Sequence, residues 1–312
     1  MAYPPAKGVR RKPRRPRLKF RDERIFYWAA LGPTAILIAF VIVLPIVYTF
    51  ALGFFDQNTL TRIWRFVGFA NYSDLLADLE FWFAFRNGVV FTAGSTLLAT
   101  AFGLAVAVLL DRNFRGRGPL RALVIFPYIV PSIVVAFIWK FIFSGRGIMN
   151  DFLNLVGAQA VSVPWLGDQR FAMVAVIVIS AWTWFPFAAI TLLAAMQNVP
   201  DDIYEAAALD GAGPVARFIH LTLPLLAPAI MVVVLIRAIW AFRNYDMIWL
   251  LTGGGPIGAT EVLPTMAYKE AFGLFRMGHA SAVAVSLMVF VTMLAALHFR
   301  VGARLRRAYD TA

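Results

Sequence analysis

Long runs without a single charged residue dominate the pattern of this chain. No Asp, Glu, Lys or Arg occurs from Ile25 to Phe55, or between Asn87 and Leu110. Further uncharged runs cover Ala122 to Trp139, Phe171 to Pro200, and Met277 to Phe299. The hydrocarbon core of a bilayer is about 30 Å thick, and a helix needs roughly 20 mostly apolar residues to cross it. These five runs predict five spans. A sixth, near Leu225 to Leu251, contains Arg237, Arg243 and Asp246, yet the residues around them (PAIMVVVLI before, MIWLL after) still argue for insertion. The predicted spans are 25–52, 87–110, 122–143, 171–196, 225–251 and 279–299, within one membrane domain over 25–300. A basic segment (1–24) precedes them and a short tail (301–312) follows. The outer loops Asp56–Arg86, Ser144–Arg170 and Thr252–Arg276 are too short for independent domains, and no internal repeat is visible. Ile148, Phe152 and Leu155 recur at helical spacing and predict a short interfacial helix.

Composition sharpens this picture. Apolar residues make up 61% of the chain and charged residues 15%, against roughly 45–50% and about 25% in soluble domains. Cysteine is absent, which removes disulfides, thiolate metal sites and cysteine nucleophiles. Only His220, His279 and His298 are present, too scattered for a histidine metal centre. The net charge of +12 would suit nucleic acid in a soluble protein. In so apolar a chain it marks cytoplasmic loops, and nucleic acid is not an expected partner. Ten basic residues lie before Ile25, four in Asp111–Arg121, one in 197–224 and four after Phe299. The opposite side holds eight. With six spans this predicts both termini in the cytoplasm. The first apolar run is longer than the 7–15 residues of a secretory signal, so it is expected to remain as the first span. Topology marking is favoured over lipid-headgroup binding for the basic leader.

The loop 197–224, between the fourth and fifth spans, is the most informative segment. Asp201 and Asp202 follow Pro200 and open an alanine-rich helical run through Glu205, Ala206 and Ala207. Gly211 and Gly213 can end that helix, and Pro214 suits the start of the next. Glu205-Ala206-Ala207, the glycine at 211, and Leu221-x-Leu223-Pro224 together resemble the EAA loop of ABC importer permeases. Pro127-x-x-x-Pro131, Gly147-x-x-Asn150, Phe66-Val67-Gly68-Phe69-Ala70-Asn71-Tyr72 and Thr252-Gly253-Gly254-Gly255-Pro256 narrow the resemblance to the maltose-type sugar and glycerol-phosphate branch. The likeness runs from about Arg24 to Arg300, in a six-helix form.

The resemblance implies an all-α, polytopic membrane protein with the type I ABC importer permease fold, N-in and C-in, in a bacterial or archaeal plasma or inner membrane. It implies a permease subunit rather than an enzyme. The expected partners are a second homologous permease, two copies of an ABC ATPase, an extracytoplasmic solute-binding protein and the lipid bilayer. ATPase coupling is expected from Glu205, Ala206, Ala207, Asp210, Gly211, Leu223 and Pro224. No G-x-x-x-x-G-K-[ST] phosphate loop occurs in the chain. ATP and Mg²⁺ therefore belong to the partner ATPase, with no cofactor or metal on this chain.

Arg237 lies twelve residues past Leu225, or roughly 18 Å along a helix. A charge at that depth should face the protein interior or a watery path. On a continuous helix Arg237, Trp240 and Asn244 share one face, with Asp246 roughly opposite. Arg237, Asp246 and Pro186 are expected in structural or gating roles, Pro186 by permitting a kink. The resemblance matches Ser180, Thr183, Trp184, Phe187, Arg243 and Asn244 to the family's sugar path, and Trp240 joins them by its face. Glycerol 3-phosphate or a glycerophosphodiester is the alternative substrate, since Arg237 and Arg243 suit an anion. A secondary carrier is more remote: Asp246 is the one clear intramembrane carboxylate, and no inverted halves are evident.

Overall fold

The computed structural model describes residues 20–157 and 162–310. Most of the predicted basic leader and the last two residues of the tail lie outside the described residues. The chain divides into two compact units, residues 1–49 and 50–312. The first holds α1 (Phe20–Ile38), a π-helical turn (Ala39–Val43) and the start of α2 (Leu44–Leu52). Its 30–52 portion is long and apolar enough to cross a membrane.

The second unit opens with a hairpin, β1 (Phe55–Asn58) paired antiparallel with β2 (Ile63–Phe66), Phe55 opposite Phe66. After α3 (Ala70–Ala77) come the long helix α4 (Leu79–Asp111), α5 (Arg117–Ile129), α6 (Ser132–Ile142) and α7 (Ile148–Leu155). Then follow α8 (Gln169–Met196), α9 (Asp201–Leu209), α10 (Pro214–Arg217) and α11 (Leu223–Phe242). The unit ends with α12 (Asp246–Thr252), α13 (Leu263–Tyr268) and α14 (Met277–Asp310).

Helix starts follow local chemistry. Asp78 caps α4 by accepting from the Glu80 N–H at 2.9 Å. Asp168 caps α8 by accepting from the Arg170 N–H at 2.8 Å. Each capping carboxylate satisfies a backbone donor that the helix leaves unpaired. The α4–α8 pair is the spine of the unit. At Gly103 a Cβ would stand 2.6 Å from the Ala188 Cβ and 2.9 Å from the Ala189 nitrogen. Only glycine allows this approach, and close backbone packing drives helix association where lipid cannot reward apolar burial. Phe91, Val135, Ile179, Ala241 and Ile248 form a core cluster joining α4, α6, α8, α11 and α12. Leu110, Leu192, Leu226 and Val233 form another at the other end of α4, α8 and α11.

Among the described residues five helices are long and apolar enough to span, and a sixth span exists if the bent pair α5–α6 counts as one. The predicted span 122–143 is therefore not one straight helix: α5 and α6 meet at 95°. Val130 is extended (φ −68°, ψ 129°) because Pro131 follows it, and Pro131 has no N–H to continue the ladder. The predicted span 225–251 is likewise interrupted. Helix α11 ends at Phe242, and Asn244 restarts α12 by accepting from the Met247 N–H at 3.1 Å. The shared face drawn through Asn244 and Asp246 therefore fails beyond Phe242. The second span begins earlier than expected, because Glu80 and Arg86 ride on α4 outside its apolar stretch. Helix α8 runs on through Pro186 without interruption. The short helix predicted through Ile148, Phe152 and Leu155 forms as α7.

Candidate functional site

An aromatic cluster forms where α5, α8 and α11 meet. Trp184 and Phe187 come from α8 and Trp240 from α11, with ring centroids 5.4 Å (Trp184–Trp240) and 5.1 Å (Phe187–Trp240) apart. Tyr128 of α5 stands edge-on to Trp184 at 5.4 Å and 78°. Such tilted and edge-to-face contacts are the favourable ones for aromatic quadrupoles. The sequence reading missed Tyr128, whose place depends on the bend at Pro131. Its only sequence signal was the Pro127-Tyr128 pair inside a predicted span. Arg237 lies beneath the same cluster, its Cζ 5.1 Å from the Trp184 ring centroid.

The other expected path residues separate from this group. Ser180 and Thr183 are buried, and the Thr183 hydroxyl donates back to the Ile179 carbonyl at 2.9 Å. The buried Ser180 hydroxyl has no hydrogen-bond partner among the described residues. Arg243 is exposed at the end of α11, and Asn244 serves the α12 start. Asp246 is exposed in the first turn of α12, with no ion pair among the described residues.

A second group lies at the loop over 197–224. The Gly211 N–H donates to the Ala208 carbonyl at 3.1 Å and the Ala212 N–H to the Ala207 carbonyl at 2.9 Å. These two bonds form a Schellman cap, which requires a left-handed residue, and Gly211 supplies it at φ +82°. Glu205, Ala206, Asp210 and Gly211 are exposed, Ala207 is half-buried, and Leu209 stands 89% exposed beside the turn. Leu223 and Pro224 begin α11, two residues before the predicted start of the span. The Tyr204 hydroxyl donates to Thr222 Oγ1 at 3.2 Å, fastening α9 to the turn before α11.

On the far side of α4 a cleft of about 1150 Å³ is lined by Arg86, Asn87, Gln169, Glu261, Lys269 and Glu270. Lys269 pairs with Glu261, and Glu270 lies 3.5 Å from Arg276 Nε and 3.2 Å from His279 Nδ1. Asn87 donates to the Gly258 carbonyl at 3.0 Å and so ties α4 to the Thr252–Gly258 turn. Asn150 is a hub of the neighbouring loop. It donates to the Ser144 and Val163 carbonyls and accepts from the Val163 N–H and Trp165 Nε1, at 3.0–3.2 Å. Asp168 is held at about 2, well below the usual carboxylate range, chiefly by its hydrogen bonds from Arg170. No cluster of three or more candidate metal ligands occurs among the described residues.

Residues 99–307 match the family described as the binding-protein-dependent transport system inner membrane component. The chain belongs to that family. It is a multi-pass permease subunit of an ABC importer, and not an enzyme. The permease is 36% identical, over 93% of its own length and 97% of the relative's, to the trehalose/maltose transport system permease protein MalF of Thermococcus litoralis. It is 31% identical to the sulfoquinovosyl glycerol transport system permease protein SmoG of Agrobacterium fabrum, over 89% and 91% of the two chains. Its fold matches a permease chain of a bacterial alginate ABC transporter, solved in complex with an alginate pentasaccharide-bound periplasmic protein. There the TM-score is 0.78 at 22% identity, covering 91% of this chain and 96% of that one. The relatives place the permease in the maltose-type sugar branch.

Proposed function

We propose that this permease forms half of the translocation path for a sugar, a mono-, di- or oligosaccharide, in a plasma or inner membrane with both termini in the cytoplasm. The carrying observation is the cluster of Tyr128, Trp184, Phe187 and Trp240 between three helices. Aromatic faces stack on the C–H faces of sugar rings, and a few polar groups at the rim fix orientation. The glycerol-phosphate alternative draws on Arg237 and Arg243; Arg237 is only 1% exposed and lies against Trp184, while Arg243 is exposed at the end of α11. Burial closes Arg237 to a passing anion, and the likeness to a trehalose/maltose permease favours a neutral sugar. Maltose and trehalose, named for the Thermococcus relative, are the first candidates.

Helix α9 and its Gly211 turn dock on an ABC ATPase in this proposal, where ATP and Mg²⁺ are bound. The exposed Glu205–Gly211 segment and its tie through Tyr204 to Thr222 support that role. A second homologous permease, two ATPase copies and an extracytoplasmic binding protein complete the importer. The test is uptake by the reconstituted importer of ¹⁴C-maltose, ¹⁴C-trehalose and ¹⁴C-glycerol 3-phosphate in parallel. ATP-dependent accumulation of a sugar, with glycerol 3-phosphate excluded, is expected. Accumulation of glycerol 3-phosphate alone would replace this reading with the anionic one.

A further inference from the structure

Arg237 presents a problem that the transport reading does not solve by itself. Its side chain is 1% exposed on a membrane helix, five residues before α11 ends at Phe242, and Nε and Nη2 make no hydrogen bond among the described residues. The helices packed on α11 include α4, α8 and α14. Their carboxylates stand only at helix ends, at Glu80, Asp111 and Asp310. No ion pair to Arg237 occurs among the described residues. A buried cation at this depth is costly unless something complementary faces it. What faces it is the ring of Trp184, at 5.1 Å. The negative face of an indole attracts a guanidinium, and more strongly where water is excluded.

The interaction works in both directions. A cation over one ring face holds the indole plane, and Trp184 is the middle member of the cluster, touching Tyr128 on one side and Trp240 on the other. We infer that Arg237 is the positioning residue of the aromatic surface: its buried cation sets the plane of Trp184 and, through it, the spacing of Tyr128 and Trp240. This rests on the reading of that cluster as the sugar-contacting surface. Arg237 itself touches no sugar. It joins α11 to α8 from behind, so a change in their mutual placement alters the surface offered to the substrate.

The test uses the whole reconstituted importer with 5-fluorotryptophan in place of tryptophan. The Trp184 ¹⁹F resonance is assigned by its loss in Trp184→Phe. Arg237→Met should shift or broaden the Trp184 resonance and move that of Trp240, while Arg237→Lys should bring both back toward the parent. Arg237→Met should also raise KM for ¹⁴C-maltose or ¹⁴C-trehalose about tenfold, with less than a twofold change in Vmax. An unmoved Trp184 resonance in Arg237→Met would overturn the inference, and so would a loss confined to Vmax. So would an uptake defect limited to ¹⁴C-glycerol 3-phosphate, because Arg237 would then be an anion contact. If the parent takes up neither sugar while the resonances still respond, the sugar reading fails and the positioning role stands. Should Arg237→Met fail to assemble, the ring side gives the answer. Trp184→Leu removes the face and should lower the Tm of the importer relative to Trp184→Phe, which keeps one. Equal Tm values would overturn the inference.

Discussion

Gly211 shows how one residue type can be demanded by backbone geometry. Its φ of +82° closes the Schellman cap on α9, and an L-residue pays roughly 1–2 kcal/mol to stand in the left-handed region. Gly211→Asp adds to that strain a charge beside the exposed Leu209. We expect it to abolish coupled uptake or to prevent assembly with the ATPase, with Gly211→Ala falling between it and the parent. Sugar uptake and ATP hydrolysis measured together in proteoliposomes check this, and normal uptake by Gly211→Asp would contradict the docking role. Gly211 was legible in the sequence because its neighbours form a dense local pattern. Ser180 and Thr183 were not. As polar residues in an apolar run they look path-lining; in the structure Thr183 bonds its own helix one turn back, and the buried Ser180 hydroxyl has no partner among the described residues.

Hydropathy located the elements better than it described their shape. Apolar runs set where α4, α8, α11 and α14 lie, because lipid forces every backbone group into a helix. The two breaks depend on finer chemistry. Pro131 is visible in the sequence, yet a proline within a span either kinks or stops a helix, and its neighbours decide which. Pro186 leaves α8 continuous, whereas Pro131, with Val130 extended before it, turns the chain by 95°. Replacing Pro131 restores an N–H and frees Val130 for the helical region. Pro131→Ala should therefore straighten the α5–α6 junction, withdraw Tyr128 from Trp184, and raise KM for sugar severalfold. Uptake kinetics of the reconstituted importer measure this, and an unchanged KM would show that the bend does not shape the site. The β1–β2 hairpin gave no warning, being short, mostly exposed and turned through Arg62 at φ +57°.

For the molecule as a whole, the chemistry that is missing matters as much as what is present. The chain carries no phosphate loop, and its aromatic surface is contributed by one permease alone. Reconstituted without partners, it should neither hydrolyse ATP nor accumulate sugar against a gradient. Adding the second permease, the ATPase and the binding protein should restore both. Accumulation by this subunit alone in proteoliposomes would contradict the half-path reading.

By itself the sequence determined that this is a membrane protein, where its spans lie, and which loop resembles the ATPase-coupling loop of its family. Those are properties of contiguous segments: hydropathy is a local sum, and the Glu205–Pro224 pattern is read along one strand of chain. Only the tertiary structure decided which side chains share a site. Tyr128, Trp184 and Trp240 lie on three different helices, and their meeting depends on a proline bend, a tight α4–α8 packing and the end of α11 at Phe242. Arg237 was expected to face inward, but what it faces could not be read from helix phase. With no carboxylate at its depth on the helices packed around it, the complementary surface is a ring carried more than fifty residues away in the sequence.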